Sequence, residues 1–155
     1  KLDKTLNSIT NIAGGESAGI PYASLLAQKL KLPLSYIRKE RKKFGKKSQI
    51  EGNIKYNDKV LLVEDLITDG SSKYNFIEAV EEVGGRIKAI FVIFNYGINK
   101  EFLEYNGKKI KIISLAKWED VLNILKLKNI FPQKEISSIV NFLSSMGIKN
   151  LKSFL

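Results

Sequence analysis

Short, mostly apolar runs recur along this chain, and polar or turn-forming residues separate them. The runs at 60–63 and 87–94 are rich in β-branched residues, and the second also contains aromatic ones. Continuous rather than alternating apolar character is typical of strands buried on both faces of a parallel sheet. We therefore predict strands at 8–13, 34–37, 60–63, 87–94 and 110–115.

Between these runs the apolar residues take on helical spacing. Pro21 falls near the first turn of the first pattern, where its missing N–H is harmless, and Gly84-Gly85 and Gly147 end the second and fourth patterns. The alternation predicts an α/β fold with a mainly parallel sheet flanked by helices. The four helical stripes are Ile20, Ala23, Ala27 and Leu30; Phe76, Ile77, Val80 and Val83; Val121, Leu122 and Leu125; and Ile136, Ile139, Val140 and Leu143.

The length of 155 residues suits a single domain. We predict an α/β core over about residues 1–115 and a C-terminal helical appendage over about 116–155, packed on the edge of the sheet. No apolar run is long enough to cross a membrane, and no signal peptide is expected. The first residue is not Met, so we expect a trimmed or shortened chain.

The composition restricts the chemistry and the partners. The chain contains no cysteine and no histidine, which excludes disulfides, thiolate metal sites and Ser-His or Cys-His nucleophiles. Catalysis would use carboxylates, lysines, arginines, hydroxyls and backbone amides, and any metal would be a hard ion such as magnesium. The net charge of +10 favours an anionic partner, namely nucleic acid, an anionic membrane or a small polyphosphate, although a solvated lysine-rich surface explains it equally well.

One segment combines acidic residues with a phosphate-binding turn. The run from 59 to 72 reads KVLLVEDLITDGSS, a buried strand that ends in two carboxylates, followed by a turn of small hydroxyl residues and glycine. Such a turn at a helix N-terminus holds a phosphate. The carboxylates repel that phosphate but accept hydrogen bonds from neighbouring hydroxyls, so the segment fits a ribose 5-phosphate. The alternative is an ordinary turn with Asp69 or Ser71 as the N-cap; the run matches neither a Walker A loop nor G-x-G-x-x-G.

This run resembles the phosphoribosyl pyrophosphate (PRPP) signature of type I phosphoribosyltransferases. Two further segments, AGGESAGIP at 13–21 and YIRKERKKFG at 36–45 with QIEG at 49–52, resemble the pyrophosphate loop, the mobile catalytic loop and the return strand of orotate phosphoribosyltransferases. The resemblance implies transfer of phosphoribose from PRPP to orotate, giving orotidine 5′-monophosphate and pyrophosphate. It also implies magnesium as cofactor, a place in pyrimidine biosynthesis, and a homodimer in the cytoplasm.

The resemblance also assigns roles to particular residues. Lys42 corresponds to the lysine of the catalytic loop, and Lys42 and Asp65 are the two candidate catalytic residues. Thr68 and Tyr96 are the candidates for contact with the base. The other positions are Gly15, Glu16, Ser17, Arg38, Lys39 and Lys42 for pyrophosphate; Thr68, Asp69, Gly70, Ser71 and Ser72 for the 5-phosphate; and Glu64 and Asp65 for the ribose hydroxyls.

The chain departs from the family pattern at several positions. Ser71 replaces a glycine, Phe44 a histidine, and Asn95-Tyr96 an arginine that contacts the orotate carboxylate. The family's segment ahead of this stretch, which helps to cover the base, is missing from the sequence. Two alternatives therefore stand beside orotate transfer: a phosphoribosyltransferase for another base, and a non-catalytic regulator that binds PRPP or RNA on the same core, although nucleic acid is the less favoured partner.

Overall fold

The computed structural model describes residues 6–41, 48–98, 101–149 and 151–155. These residues form a seven-stranded sheet and four α-helices, with single turns of 3-10 helix at Leu6–Ser8 and Lys152–Phe154. The strands are β1 (Asn11–Gly15), β2 (Leu34–Ile37), β3 (Ile50–Glu51), β4 (Lys59–Ile67), β5 (Arg86–Asn95), β6 (Phe102–Tyr105) and β7 (Lys108–Lys117). The helices are α1 (Gly19–Leu30), α2 (Ser71–Glu82), α3 (Trp118–Leu127) and α4 (Gln133–Ser145).

The strand order is β3-β2-β1-β4-β5-β7-β6. The five central strands are parallel, and only the outermost strands β3 and β6 run antiparallel to their neighbours. From β1 the chain crosses through α1 to β2 on one side, whereas from β4 it crosses through α2 to β5 on the other. The connections thus diverge between β1 and β4, and the carboxyl ends of these two strands border the crevice where ligands bind in open α/β sheets.

Helices cover both faces of the sheet. Ala23 and Ala27 of α1 pack with Ile12, Leu61 and Val63 on one face. Apolar residues of α2 pack on the opposite face, in a cluster with residues of β4 and β5. Its members include Val60, Leu62, Phe76, Ile77, Val80, Ile90 and Val92. The prediction of an α/β fold with a mainly parallel, helix-flanked sheet is confirmed.

The structure changes some of the predicted element bounds. The strand predicted at 60–63 continues to Ile67, so both carboxylates of the motif lie inside β4 rather than after it. The strand predicted at 8–13 is replaced by a 3-10 turn and by β1, which begins at Asn11. The hairpin of β6 and β7 was not predicted, although its Asn106-Gly107 turn, with φ of 48° and 72°, has the left-handed geometry typical of two-residue hairpins.

The C-terminal helices form a third apolar cluster. Leu122 of α3 and Val140 and Leu143 of α4 are buried there. The partly buried Tyr96 and Trp118, which follow the ends of β5 and β7, pack against the cluster. The helices therefore pack near the carboxyl ends of these strands, because α3 begins at the residue directly after β7. Among the described residues, no helix has the length and apolar character needed to span a bilayer.

Candidate active site

A cavity of about 490 Å³ opens at the carboxyl ends of the central strands, beside the point where the connections diverge. Four chain segments line it: the turn after β1, the loop after β2, the end of β4 and the first turns of α2. Six of the residues singled out from the sequence meet there, namely Glu16, Ser17, Lys39, Glu64, Asp65 and Ser72. Segments that are far apart in sequence thus share one site because parallel strands end at the same edge.

Two hydrogen bonds join the turn after β1 to the end of β2 and to the loop that follows it. The Glu16 amide donates to the Ile37 carbonyl over 2.9 Å, and the Lys39 amide donates to Glu16 Oε2 over 2.8 Å. The peptide bond between Glu16 and Ser17 is cis. These contacts hold an acidic and a basic residue at one wall of the cavity.

Asn75 of α2 connects that loop to the opposite wall. Its Nδ2 donates to the Lys39 carbonyl over 2.6 Å, and its Oδ1 accepts a 3.1 Å hydrogen bond from Gln49 Nε2. Gln49 Nε2 also donates to the Arg38 carbonyl over 3.0 Å. Neither Asn75 nor Gln49 was assigned a role from the sequence. Together they fix the start and the end of the basic loop relative to α2.

A buried ion pair forms the floor of the cavity. Lys73 Nζ of α2 donates to Glu64 Oε2 of β4, and each side chain is only 7% exposed. Burial raises the pKa of the Glu64 carboxyl, and the hydrogen bond and charge of Lys73 oppose that rise. Asp65, the next residue on β4, is half-buried and also lines the cavity.

The turn before α2 has the geometry expected of an anion-binding helix start. Gly70 is the N-cap, with φ of 85°, a left-handed conformation that favours glycine. Neither Asp69 nor Ser71 is the N-cap; instead, Asp69 Oδ1 accepts hydrogen bonds from the Ser71 amide (3.2 Å) and hydroxyl (3.0 Å). These bonds, the amide first, lower the pKa of Asp69. The positive end of the α2 dipole faces this turn.

The remaining candidate residues lie elsewhere or outside the described part of the chain. Arg38 pairs with Glu51 at 3.7 Å. The ring of Tyr96 packs edge-on against Phe94 and Trp118, with centroids 5.6 and 6.0 Å away. Tyr96 lines a second cavity of about 120 Å³ between β5 and the C-terminal segment, although its amide donates to the Ile67 carbonyl beside Thr68. Lys42 lies outside the described residues, as does Phe44.

Lys73 was missed although the sequence contained a signal for it. It precedes Phe76, Ile77 and Val80 by three, four and seven residues, which places it on the apolar face of α2. A lysine at such a position is buried and needs an acidic partner. The nearest acidic residues before the helix are those of the motif, and Glu64 is the partner.

A family model for the phosphoribosyl transferase domain matches residues 2–123. Because this match covers most of the chain and the fold and cavity agree with it, the chain belongs to the phosphoribosyl transferase domain family. The chain is 41% identical over 142 residues to the orotate phosphoribosyltransferase of Roseobacter denitrificans, which covers 91% of this chain and 63% of that protein. It is 42% identical over 134 residues to the orotate phosphoribosyltransferase of Rhizobium johnstonii, which covers 86% of this chain and 58% of that protein.

Solved structures share the fold. A crystal structure of orotate phosphoribosyltransferase from Aeropyrum pernix superimposes with a TM-score of 0.64 at 29% identity, over 80% of this chain and 69% of that one. UMP synthase from Leishmania donovani superimposes with a TM-score of 0.69 at 22% identity, over 88% of this chain and 29% of that one. This likeness supports the fold alone. The chain spans about three fifths of the length of the two curated relatives.

Proposed function

We propose that this domain transfers the phosphoribosyl group of PRPP to orotate, giving orotidine 5′-monophosphate and pyrophosphate in pyrimidine biosynthesis. One observation carries the proposal: the acidic end of β4, the first turns of α2 and the loops after β1 and β2 border a single cavity at the β1–β4 crevice. The relatives named orotate phosphoribosyltransferase, at about 40% identity over most of the chain, favour orotate as the base.

In this proposal the phosphate and the ribose have separate subsites. The turn of Thr68, Asp69, Gly70, Ser71 and Ser72 holds the 5-phosphate, because the α2 dipole and the backbone N–H groups favour an anion there. Glu64 and Asp65 accept hydrogen bonds from the ribose hydroxyls. The acids lie before the turn on β4, so the ribose and its phosphate extend along the direction of the chain.

The pyrophosphate would leave between the turn after β1 and the loop after β2. Gly15, Glu16, Ser17 and the basic residues Arg38, Lys39 and Lys42 are the proposed partners of its oxygens. Breaking the bond to C1′ builds negative charge on the leaving oxygens, and cations placed there stabilise that charge in the transition state. The base is the nucleophile, so the lack of histidine and cysteine is consistent with this chemistry.

Magnesium is the proposed cofactor. Within the described residues, no group of three or more acidic, histidine or cysteine side chains is arranged to enclose a metal ion. Magnesium commonly keeps several waters and binds through substrate phosphates rather than in an all-protein cage. The PRPP oxygens would therefore carry the ion, and its charge would help to neutralise the leaving pyrophosphate.

The resemblance behind this proposal also extends to the assembly, the compartment and the base contacts. A homodimer in which Lys42 reaches the neighbouring site, and a cytoplasmic location, are part of the proposal. Thr68 and Tyr96 are proposed to lie near the base, with the Tyr96 amide bonded to the Ile67 carbonyl beside Thr68.

The test is a direct assay of base use. Purified protein is mixed with PRPP, magnesium and orotate, and the loss of orotate is followed by ultraviolet absorbance, with uracil and adenine as parallel bases. We expect turnover with orotate only, and a collapse of that turnover in Lys42→Ala and Asp65→Asn. Glu104→Gln, an exposed acid on β6, is the matched control and should keep full activity.

Other outcomes would redirect the proposal. Turnover with adenine or uracil instead of orotate would assign another base to the same site. PRPP binding by calorimetry without turnover on any base would favour a PRPP-binding regulator. RNA binding that weakens steeply with added salt would support the RNA-binding alternative.

A further inference from the structure

The Glu64–Lys73 pair has a cost that core packing does not explain. Removing an ammonium and a carboxylate from water is expensive, and apolar residues of similar volume are often equally stable. Lys73 is also the third residue of α2, where the positive end of the helix dipole disfavours a cation. A buried charge pair at such a position, on the floor of a cavity, indicates a function for the charges.

The carboxylate of Glu64 is fixed from two sides. Its Oε2 accepts the hydrogen bond from Lys73 Nζ. Its Oε1 lies against the start of α1 and the end of β1: a Cβ added to Gly15 would be 2.0 Å from it, and one added to Gly19 would be 2.7 Å away. The two glycines thus leave the space that the Glu64 carboxylate occupies, and Lys73 holds the carboxylate there.

We propose that Lys73 is a positioning residue for the ribose end of PRPP: it orients the Glu64 carboxylate and balances its charge, so that this carboxylate accepts hydrogen bonds from the ribose hydroxyls. The inference rests on the proposed function in one respect, the assignment of Glu64 to the ribose. Lys73 acts through Glu64 and makes no required contact with PRPP itself.

The charges around Glu64 define the expected pH dependence. Lys73 faces it from α2, Lys39 from the loop after β2, Asp65 is its neighbour on β4, and Glu16 lines the same cavity from the turn after β1. Without Lys73, desolvation and the charge of Asp65 raise the pKa of the Glu64 carboxyl, and the charge of Lys39 opposes them. A protonated Glu64 has less capacity to accept hydrogen bonds, so PRPP should bind poorly at low pH and recover as pH rises.

The experiment measures PRPP affinity by calorimetry in the presence of magnesium, from about pH 6 to about pH 9, where an unpaired buried carboxyl titrates. In Lys73→Met we expect PRPP to bind at least about tenfold more weakly than in the unmodified protein at neutral pH, since hydrogen bonds to a charged group are worth that much. The deficit should shrink at the alkaline end. Lys29→Met, an exposed lysine near the end of α1, is the matched control and should follow the unmodified protein throughout.

A second comparison separates positioning from direct contact and from folding. Glu64→Gln should weaken PRPP binding without the recovery at high pH. The double variant with Lys73→Met should bind PRPP no more weakly than Glu64→Gln alone, and it should fold because it leaves no unpaired buried charge. This comparison remains informative if Lys73→Met alone does not fold.

Two results would overturn the inference. One is PRPP affinity in folded Lys73→Met equal to that of the unmodified protein at every pH, which would make the pair purely structural. The other is a double variant weaker than Glu64→Gln by the full Lys73 factor, which would mean that Lys73 contacts PRPP directly. Failure of orotate turnover in the unmodified protein would refute the proposed base instead, because PRPP binding is measured here without any base.

Discussion

Replacing Gly19 by alanine tests how closely α1 approaches the central strand of the sheet. A Cβ at this position would lie 2.2 Å from the Val63 carbonyl oxygen, whereas ordinary contact begins at 3.4 Å. Val63 is fully buried in β4 between two hydrogen-bonded neighbours, so its carbonyl has no room to retreat. The start of α1 would therefore have to move outward by about 1 Å, a strain of the kind that overpacking produces.

The magnitude follows from two opposing terms. Overpacking a close contact typically costs about 1–3 kcal/mol, and a rigid backbone atom places this case at the upper end. Replacing glycine by alanine returns about 0.4–1 kcal/mol by restricting the unfolded chain. We expect a net loss of about 2 kcal/mol in the free energy of unfolding. Gly14→Ala should lower the free energy of unfolding by less, because the nearest atom to its added Cβ would be Ile20 Cα at 2.8 Å.

The assay is urea denaturation followed by circular dichroism. Gly107→Ala is the control: nothing lies within 4 Å of its added Cβ, so only its positive φ of 72° contributes a cost, about 1 kcal/mol. We expect midpoints in the order Gly107→Ala above Gly19→Ala, with Gly14→Ala less damaging than Gly19→Ala. Gly19→Ala at least as stable as Gly107→Ala would refute the close packing of α1 on β4.

Three further predictions address the turn before α2, the C-terminal cluster and the cofactor. The pKa of Asp69 is lowered, so its hydrogen bonds to Ser71 stabilise the fold above the ordinary carboxyl pKa of about 4 and are lost as pH falls through the lowered value. The melting temperatures of Asp69→Ala and of the unmodified protein should therefore converge in acid. A difference that stays constant with pH would contradict this. Leu122→Ala should lower the free energy of unfolding by about 2–5 kcal/mol, because it opens a cavity. The same change at the exposed Leu127 should lower it by less than about 0.5 kcal/mol. Both are measured by urea denaturation followed by Trp118 fluorescence, and equal effects would mean that the cluster contributes little. Chelation of magnesium should abolish turnover of orotate and PRPP, and added magnesium should restore it; full activity in the chelator would exclude the ion.

Local sequence patterns anticipated most of the fold. The apolar runs at 34–37, 60–63 and 87–94 all lie within strands, and the helical stripe that begins at Phe76 packs against the sheet. The hairpin of β6 and β7 was not predicted, although the dipeptide Asn106-Gly107 is a typical hairpin turn sequence. The predicted end of the strand at 60–63 was wrong. A carboxylate is normally excluded from a buried strand, but the ion pair with the buried Lys73 allows Glu64 to lie inside β4.

The sequence by itself determined the class of fold, the family resemblance and the identity of the motif, because these depend on the order and spacing of residues along the chain. Only the tertiary structure decided which of the candidate residues share a cavity, since that depends on which strands end side by side. It also revealed the partner of Glu64, the tie between Asn75 and the Lys39 carbonyl, and the packing of the Tyr96 ring on Trp118. These contacts join residues that are distant along the chain, and their distances arise from packing that no local pattern encodes.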